Sequence, residues 1–233
     1  MDAIRDNKLV HSSLNIPVSG NPVVVPGKVN GAIRLDGNRQ YLDIGDFTRS
    51  CLGNMEYCND GLTGSMWINF RSLHENAYYL SSGGGLRIYH SGGKLWTVLE
   101  RSGKRWEVGV PNLKTDDWYF LEYSWHPEKG LQVYLNNKLM GEARQSTTVP
   151  SSTASGRFLI GSANPGDVAG GRFRYADAVI DEVETWYRDR DSLIAFNYLL
   201  RGKYTPSHLC NKVSADNNLG CCVKYENSMV YVL

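Results

Sequence analysis

A chain of 233 residues with 25 Lys and Arg against 24 Asp and Glu has no net field to hold a polyanion, so nucleic acid is not an expected partner. Its 42% hydrophobic content, with 14 tyrosines and six tryptophans, is enough to bury a substantial core and excludes disorder for most of the chain. No stretch is apolar for long enough to cross a bilayer as a helix, and Met1-Asp2-Ala3-Ile4-Arg5-Asp6 is charged where a secretory leader is apolar, so no membrane insertion is expected.

Strand signals recur at short intervals between Gly, Asn and Asp punctuation, the pattern of an antiparallel sandwich or barrel and not of βαβ units. Ala32–Leu35 and Tyr41–Ile44 read as strands around an Asp36-Gly37 turn. Cys51 and Cys58 then enclose a short loop. Their spacing favours a loop-clasping disulfide over zinc, which wants two Cys/His pairs at ligand spacing, and a disulfide implies an oxidising compartment. An apolar strand follows over Ser65–Phe70, and further strands are expected near Tyr78, Ile88, Val98, Val108, Phe120, Val133, Ile160 and Val183. One helix is expected from about Ser192 to Leu200, with Asp191 accepting backbone N–H bonds at its start and Gly202 ending it. Beyond Pro206 the chain turns polar. The expected organisation is one β-sandwich domain over 1–206 and a Cys-bearing tail, or the truncated start of a following module, over 207–233. A vicinal bond between Cys221 and Cys222 is strained, so Cys210 is expected to pair with one of them, taken as Cys221, and the other to pair outside this chain.

Two consecutive two-residue turns, Gly92-Gly93 and Ser102-Gly103, fix the register of three strands. If Ser91 pairs with Lys94 and Arg101 with Lys104, then Ile88, Thr97 and Val108 lie side by side, as do Leu86, Leu99 and Trp106, and His90, Leu95 and Val110. This mainly apolar face is the expected core. The other face carries Tyr89, Trp96 and Gly109 in one row, Arg87, Val98 and Glu107 in the next, and Glu100 beside Arg105. A flat aromatic on a polar face offers a platform to a sugar ring, so Tyr89 and Trp96 are the candidate ligand contacts, with Arg87, Arg105 and Glu107 placed to bond hydroxyls. The bland alternative is that Trp96 covers Gly109, as aromatic rings do for strand glycines. Trp67, Trp106 and Trp118 fall in patterns better explained as core.

Val25-Pro26-Gly27-Lys28-Val29-Asn30-Gly31-Ala32-Ile33-Arg34-Leu35-Asp36-Gly37 and Tyr41-Leu42-Asp43-Ile44 are followed in order by Gly64-Ser65-Met66-Trp67-Ile68, Asp117-Trp118-Tyr119-Phe120-Leu121, the segment from Gly130 to Asn137, Leu159-Ile160-Gly161 and Ile180-Asp181-Glu182-Val183 with Trp186. This order of motifs, from Val25 to about Gly202, resembles that of laminin-G-like domains of the concanavalin A-like lectin/glucanase superfamily: the first two segments resemble the opening of such a domain and the third its first core strand. The fold expected is therefore all-β, a two-sheet antiparallel jelly-roll sandwich with one short C-terminal helix. The function expected is extracellular recognition or adhesion, with a glycan or extracellular protein as partner, and a spacer unit without a small ligand is the alternative. The clasp of Cys51 and Cys58 resembles versions of the domain found in animal extracellular proteins.

The resemblance also implies a structural calcium held between an early Asp-Gly turn and a carboxylate on the closing strand, which makes Asp36 and Asp181 the candidate ligands. An enzyme is the weaker class. Related β-glucanases carry Glu-x-Asp-x-Glu on one strand, and the nearest segment here is Asp181-Glu182-Val183-Glu184, in which strict alternation would put Glu182 and Glu184 on one face and Asp181 on the other. The five histidines are scattered without metal spacing, and neither a Gly-x-Ser-x-Gly elbow nor a His-Glu-x-x-His helix occurs.

Overall fold

The computed structural model describes residues 3–192 apart from 6–7, 12–13, 30, 84, 151–155 and 168–172. Strands are numbered in chain order. The larger sheet runs from edge to edge as β1 (Ala3–Arg5), β2 (Lys8–His11), β3 (Leu14–Ser19), β6 (Tyr41–Asp46), β16 (Arg157–Ile160), β8 (Ala77–Ser81), β9 (Leu86–Ser91), β10 (Lys94–Arg101), β11 (Lys104–Pro111) and β15 (Thr147–Thr148), and β17 (Arg174–Tyr175) pairs in parallel with β8. The smaller sheet runs β14 (Lys138–Ala143), β13 (Gly130–Leu135), β12 (Trp118–His126), β7 (Leu62–Phe70), β18 (Asp177–Trp186), β5 (Gly31–Asp36) and β4 (Val23–Pro26). Together they form the expected jelly-roll sandwich.

Alternation places one face of each sheet in a shared core. Leu86, Ile88, Leu95, Leu99, Trp106 and Val110 of the larger sheet belong to the same buried cluster as Met66, Ile68, Tyr123, Trp125, Leu131 and Val133 of the smaller one. Trp106 and Trp125 meet edge to face across the layers, with centroids 5.3 Å apart. Each such side chain contributes about 1.5–3 kcal/mol on burial. Tyr123 reaches so close to β7 that a Cβ on Gly64 would stand 2.2 Å from its hydroxyl oxygen, which requires glycine there.

The expected strands are all present, and the register of β9, β10 and β11 follows the two glycine-bearing turns as expected, including Trp96 opposite both Tyr89 and Gly109. The Asp36-Gly37 turn differs. It does not join a hairpin: β5 and β6 lie in different sheets, Asp36 pairing with Asp177 and Tyr41 with Ser19. Gly37, at φ +77, starts a crossing between layers. The strands before Ala32 escape the sequence reading because Pro17, Asn21 and Pro22 interrupt their alternation. Through residues 20–22 the chain passes from β3 in the larger sheet to β4 in the smaller, with Gly20 at φ +71 packed under the Arg39 carbonyl.

Helical structure begins at residues 190–192, where the description of the C-terminal part ends; the remainder of the expected helix, the 207–233 tail and Cys210, Cys221 and Cys222 lie outside the described residues. The carboxylate at the helix start is Asp189, not Asp191: Asp189 Oδ1 accepts the Ser192 N–H at 3.3 Å, and Asp191 pairs instead with Lys129 at 3.2 Å. Two acidic residues stand near this helix start, and spacing alone does not say which of them caps it.

Candidate functional site

The outward face of β8–β11 carries the aromatic and charged residues expected to meet a ligand, and the fold sorts them into a buried layer and an accessible one. Arg87, 8% exposed, is part of the buried layer: it pairs with Glu100 and lies 3.5 Å from Asp167. Arg105 donates from Nε to Glu100 at 2.6 Å, so a single carboxylate bridges two arginines. Asp167 arrives from the 3-10 turn Pro165–Asp167 and takes a hydrogen bond from the Ser81 hydroxyl. Burial raises its carboxyl above the ordinary range, against the lowering effects of Ser81 and Arg87. Arg87 is thus committed to the scaffold, and the expectation that it bonds a ligand directly does not fit this geometry. Arg105 and Glu107 remain at the margin of the face, Glu107 exposed.

Tyr89 and Trp96 are half-buried and braced from below. Tyr89 stacks on Tyr78 with centroids 5.0 Å apart and planes 16° from parallel. The Tyr78 hydroxyl donates to the Asp167 carbonyl at 3.0 Å, and burial pushes its pKa up to about 12. Burial likewise raises that of Tyr89, so both phenols keep their protons at neutral pH. Trp96 lies over Gly109, where a Cβ would stand 3.0 Å from two ring carbons, and its indole N–H donates to the Ser91 carbonyl at 3.1 Å. Lys94 Nζ sits 5.5 Å from the ring centroid. Glycine cover and ligand platform are therefore both physically available to this ring.

Asp36 and Asp181 are not brought together. Asp36 Oδ1 accepts the Asn38 N–H at 2.8 Å in a local turn at the end of β5. Asp181 is four residues beyond Asp177, the residue opposite Asp36, which puts the two about 13 Å apart along the strand direction. Its Oδ2 accepts the N–H groups of Lys28 and Val29 at 2.7 and 2.9 Å, tying the β4–β5 turn to the closing strand. Among the described residues no group of three or more His, Cys, Asp or Glu is gathered as a metal site would need. Cys51 and Cys58 are disulfide-bonded, with Cα atoms 4.7 Å apart. The loop they close carries Glu56, which accepts from the Ser102 N–H at 2.6 Å and from its hydroxyl, clamping the β10–β11 turn.

The outward face of the smaller sheet holds functional-looking residues that the sequence reading assigned elsewhere. Trp67 and Trp118 are half-buried on this face and not core, whereas Trp106 is core. A bulge between Asp181 and Glu184 breaks the alternation: Asp181 pairs with Trp67 and Glu184 with Ser65, so Asp181 and Glu184 share the outward face, and Glu182 takes φ +49. Burial, with the nearby Glu182 charge, pushes the Glu184 carboxyl up to about 7. Across Ser65 stands Glu122, which accepts from Arg190, and the Arg190 guanidinium lies 4.6 Å from the Tyr134 ring centroid.

Residues 36–192 match the profile of the concanavalin A-like lectin/glucanases superfamily, well over half of the chain. The chain belongs to this superfamily. No curated protein matches the sequence. Among solved structures, this superfamily domain is similar to domain 4 of AbnA, an extracellular GH43 arabinanase from Geobacillus stearothermophilus solved with arabinotriose, at 16% identity and a TM-score of 0.50, covering 71% of this chain and 75% of that one. It is also similar to the binding domain of Paraclostridial Mosquitocidal Protein 1 (15% identity, TM-score 0.56, covering 84% of this chain and 50% of that one). A third neighbour is botulinum neurotoxin type C, whose cell entry depends on interaction with two ganglioside molecules (15% identity, TM-score 0.54, covering 84% and 49%). The chain spans about half the length of these toxin chains. At such identities the likeness is one of fold. No helix among the described residues is long and apolar enough to cross a membrane.

Proposed function

We propose that this superfamily domain is a non-catalytic extracellular recognition module that binds a glycan on the outward face of the larger sheet, with Trp96 and Tyr89 as the platform and Arg105 and Glu107 as hydroxyl partners. The observation that carries the reading is the bracing of two adjacent rings on a polar face, Tyr89 by Tyr78 and Trp96 by Gly109 and Ser91. A rigid ring loses little conformational entropy on binding and presents a flat apolar surface to a pyranose or furanose. The sugar ligands of the arabinanase domain and the neurotoxin support a glycan over a protein partner, and the Cys51–Cys58 bond supports an oxidising, extracellular setting.

A glycan-array screen of the purified domain, followed by calorimetry on the best ligand, tests the reading. Trp96→Ala should weaken binding by about 1–3 kcal/mol, the range for losing an aromatic hot spot, without unfolding the domain. The competing reading, in which Trp96 serves only to cover Gly109, expects a lowered melting temperature and unaltered binding. Binding untouched by both Trp96→Ala and Tyr89→Ala would remove this face from the function.

A further inference from the structure

We propose that the glycan taken by the outward face of the larger sheet is a linear, uncharged chain of several sugar units lying across the strands, bound by a strip of rings that runs from Trp96 through Tyr89, Phe173 and Tyr175 to Tyr41. This extends the platform of Trp96 and Tyr89 and rests on that reading.

The first argument is register. Trp96 pairs with Tyr89, Tyr89 with Tyr78 and Tyr78 with Tyr175, so aromatic residues occupy one row on four successive strands, β10, β9, β8 and β17. Alternation turns the whole row outward, because the chain neighbours Leu95, Ile88, Tyr79 and Ala176 belong to the core between the sheets. Tyr41 on β6 faces outward for the same reason, its neighbour Leu42 being core. At ordinary strand spacing the row from Trp96 to Tyr175 is about 15 Å long. Tyr41 adds another ring, 6.2 Å from that of Tyr175. A strip of that length is several times the width of a single sugar ring.

The second argument is contact along the strip. Tyr89 stacks on Tyr78, Phe173 meets Tyr78 edge to face at 6.4 Å and Tyr175 at 5.1 Å, and Tyr175 stacks with Tyr41, their planes 18° from parallel. None of these residues belongs to the core cluster. Tyr78 is buried beneath its neighbours, whereas Trp96, Tyr89, Phe173, Tyr175 and Tyr41 are all half-buried and present surface to solvent. The solvent face of an antiparallel sheet ordinarily carries polar side chains, so a contiguous aromatic run there marks a binding surface.

The third argument is charge, which selects the ligand. Beside the Tyr41 end Asp43 pairs with Arg157, and beside the Tyr89 end Glu100 pairs with Arg87 and Arg105. Lys94 and the exposed Glu107 flank Trp96 with one charge of each sign. No single-sign field is left to favour a polyanion, and a proline-rich peptide, which also stacks on tyrosines, would leave these polar groups unused. An uncharged oligosaccharide uses both, with its apolar ring surfaces on the aromatic strip and its hydroxyls against the flanking polar groups.

The test measures affinity by calorimetry on the full chain with cello-, xylo-, chito- and malto-oligosaccharides from monomer to hexamer, beside a hyaluronan hexamer and a proline decapeptide. In at least one neutral series the hexamer should bind about tenfold more tightly than the dimer, the combined effect of two further aromatic contacts. Tyr175→Ala and Tyr41→Ala should each cut that gain at least threefold, while Tyr175→Phe, which keeps the ring, should preserve it and so separates loss of the contact from loss of the fold. Trp96→Ala should weaken every length that binds. Affinity that depends on Trp96 but not on chain length, or a length gain indifferent to both tyrosine variants, would overturn the extended site and leave the platform standing. Failure of every neutral series to bind, or binding indifferent to Trp96→Ala, would overturn both. Tighter binding of the hyaluronan hexamer or of the decapeptide than of any neutral hexamer would overturn the ligand class.

Discussion

Replacing both Cys51 and Cys58 with alanine should destabilise the domain by an amount that loop length sets. The two are seven residues apart, so the bond closes a loop of about eight residues. Chain entropy lost by the unfolded state on closing so short a loop is about 8 cal/mol/K, or roughly 2.5 kcal/mol at room temperature. For a domain of this length each kilocalorie is worth about 2–4 °C, so the melting temperature should fall by about 5–10 °C. Both sulfurs are buried, and alanine leaves no polar group behind in their place. The loop also carries Glu56, whose bonds to Ser102 and Arg101 outweigh the opposing effect of burial and hold its carboxyl below the usual range. Loosening the loop should therefore speed amide exchange at the β10–β11 turn, at Ser102 above all. Calorimetry of the oxidised protein, the reduced protein and the double variant is the assay. The last two should melt together; an oxidised protein that melts within 1 °C of the variant would show that the clasp does not limit stability.

Trp106→Ala should cost about 3–5 kcal/mol through a cavity against Trp125, measured by urea denaturation, whereas Trp96→Ala, at a half-exposed site, should cost far less. Because the folded Glu184 carboxyl titrates near 7 and its unfolded counterpart near 4.5, its contribution is fully present below pH 4.5 and lost as pH rises through 7; Glu184→Gln should remove that slope and raise stability at pH 8 by up to about 3 kcal/mol. Excess calcium should leave the melting temperature unchanged, since Asp36 and Asp181 stand apart; a rise abolished by Asp181→Asn would restore the metal. Hydrolysis of β-glucans should be undetectable, and activity lost on mutating Glu122 or Glu184 would contradict a binding role.

What could be read from the sequence is what short-range rules control. Gly92-Gly93 and Ser102-Gly103 fix parity over three strands, so every side chain of β9–β11 falls on the expected face. No tight turn connects β7 to β12 or to β18, whose partners come from distant sequence, and there the parity of Trp67 and Trp118 was free to be misjudged. The bulge that unites Asp181 with Glu184 has no local signature either: Glu182 holds positive φ without being glycine. Asp36-Gly37 fits a hairpin and a crossing equally well, and only the pairing of Asp36 with Asp177 decides between them. Arg87 was legible as an outward residue but not as a buried one, because Asp167, which helps to enclose it, comes from 80 residues further along the chain.

The passage from β3 to β4 has a mechanical consequence. Tension on the N-terminal end would unzip β1 from β2 and β2 from β3 one pair of hydrogen bonds at a time, a low-force mode. At residues 20–22 the path changes, because the next strand on one side is anchored to β6 and on the other to β5, in opposite layers. Load arriving there is divided between the two sheets, and rupture beyond this point must shear both layers or separate them. The N-terminal meander acts as a shock absorber in series with a stiff sandwich, and single-molecule pulling should record short early extensions before one large cooperative event.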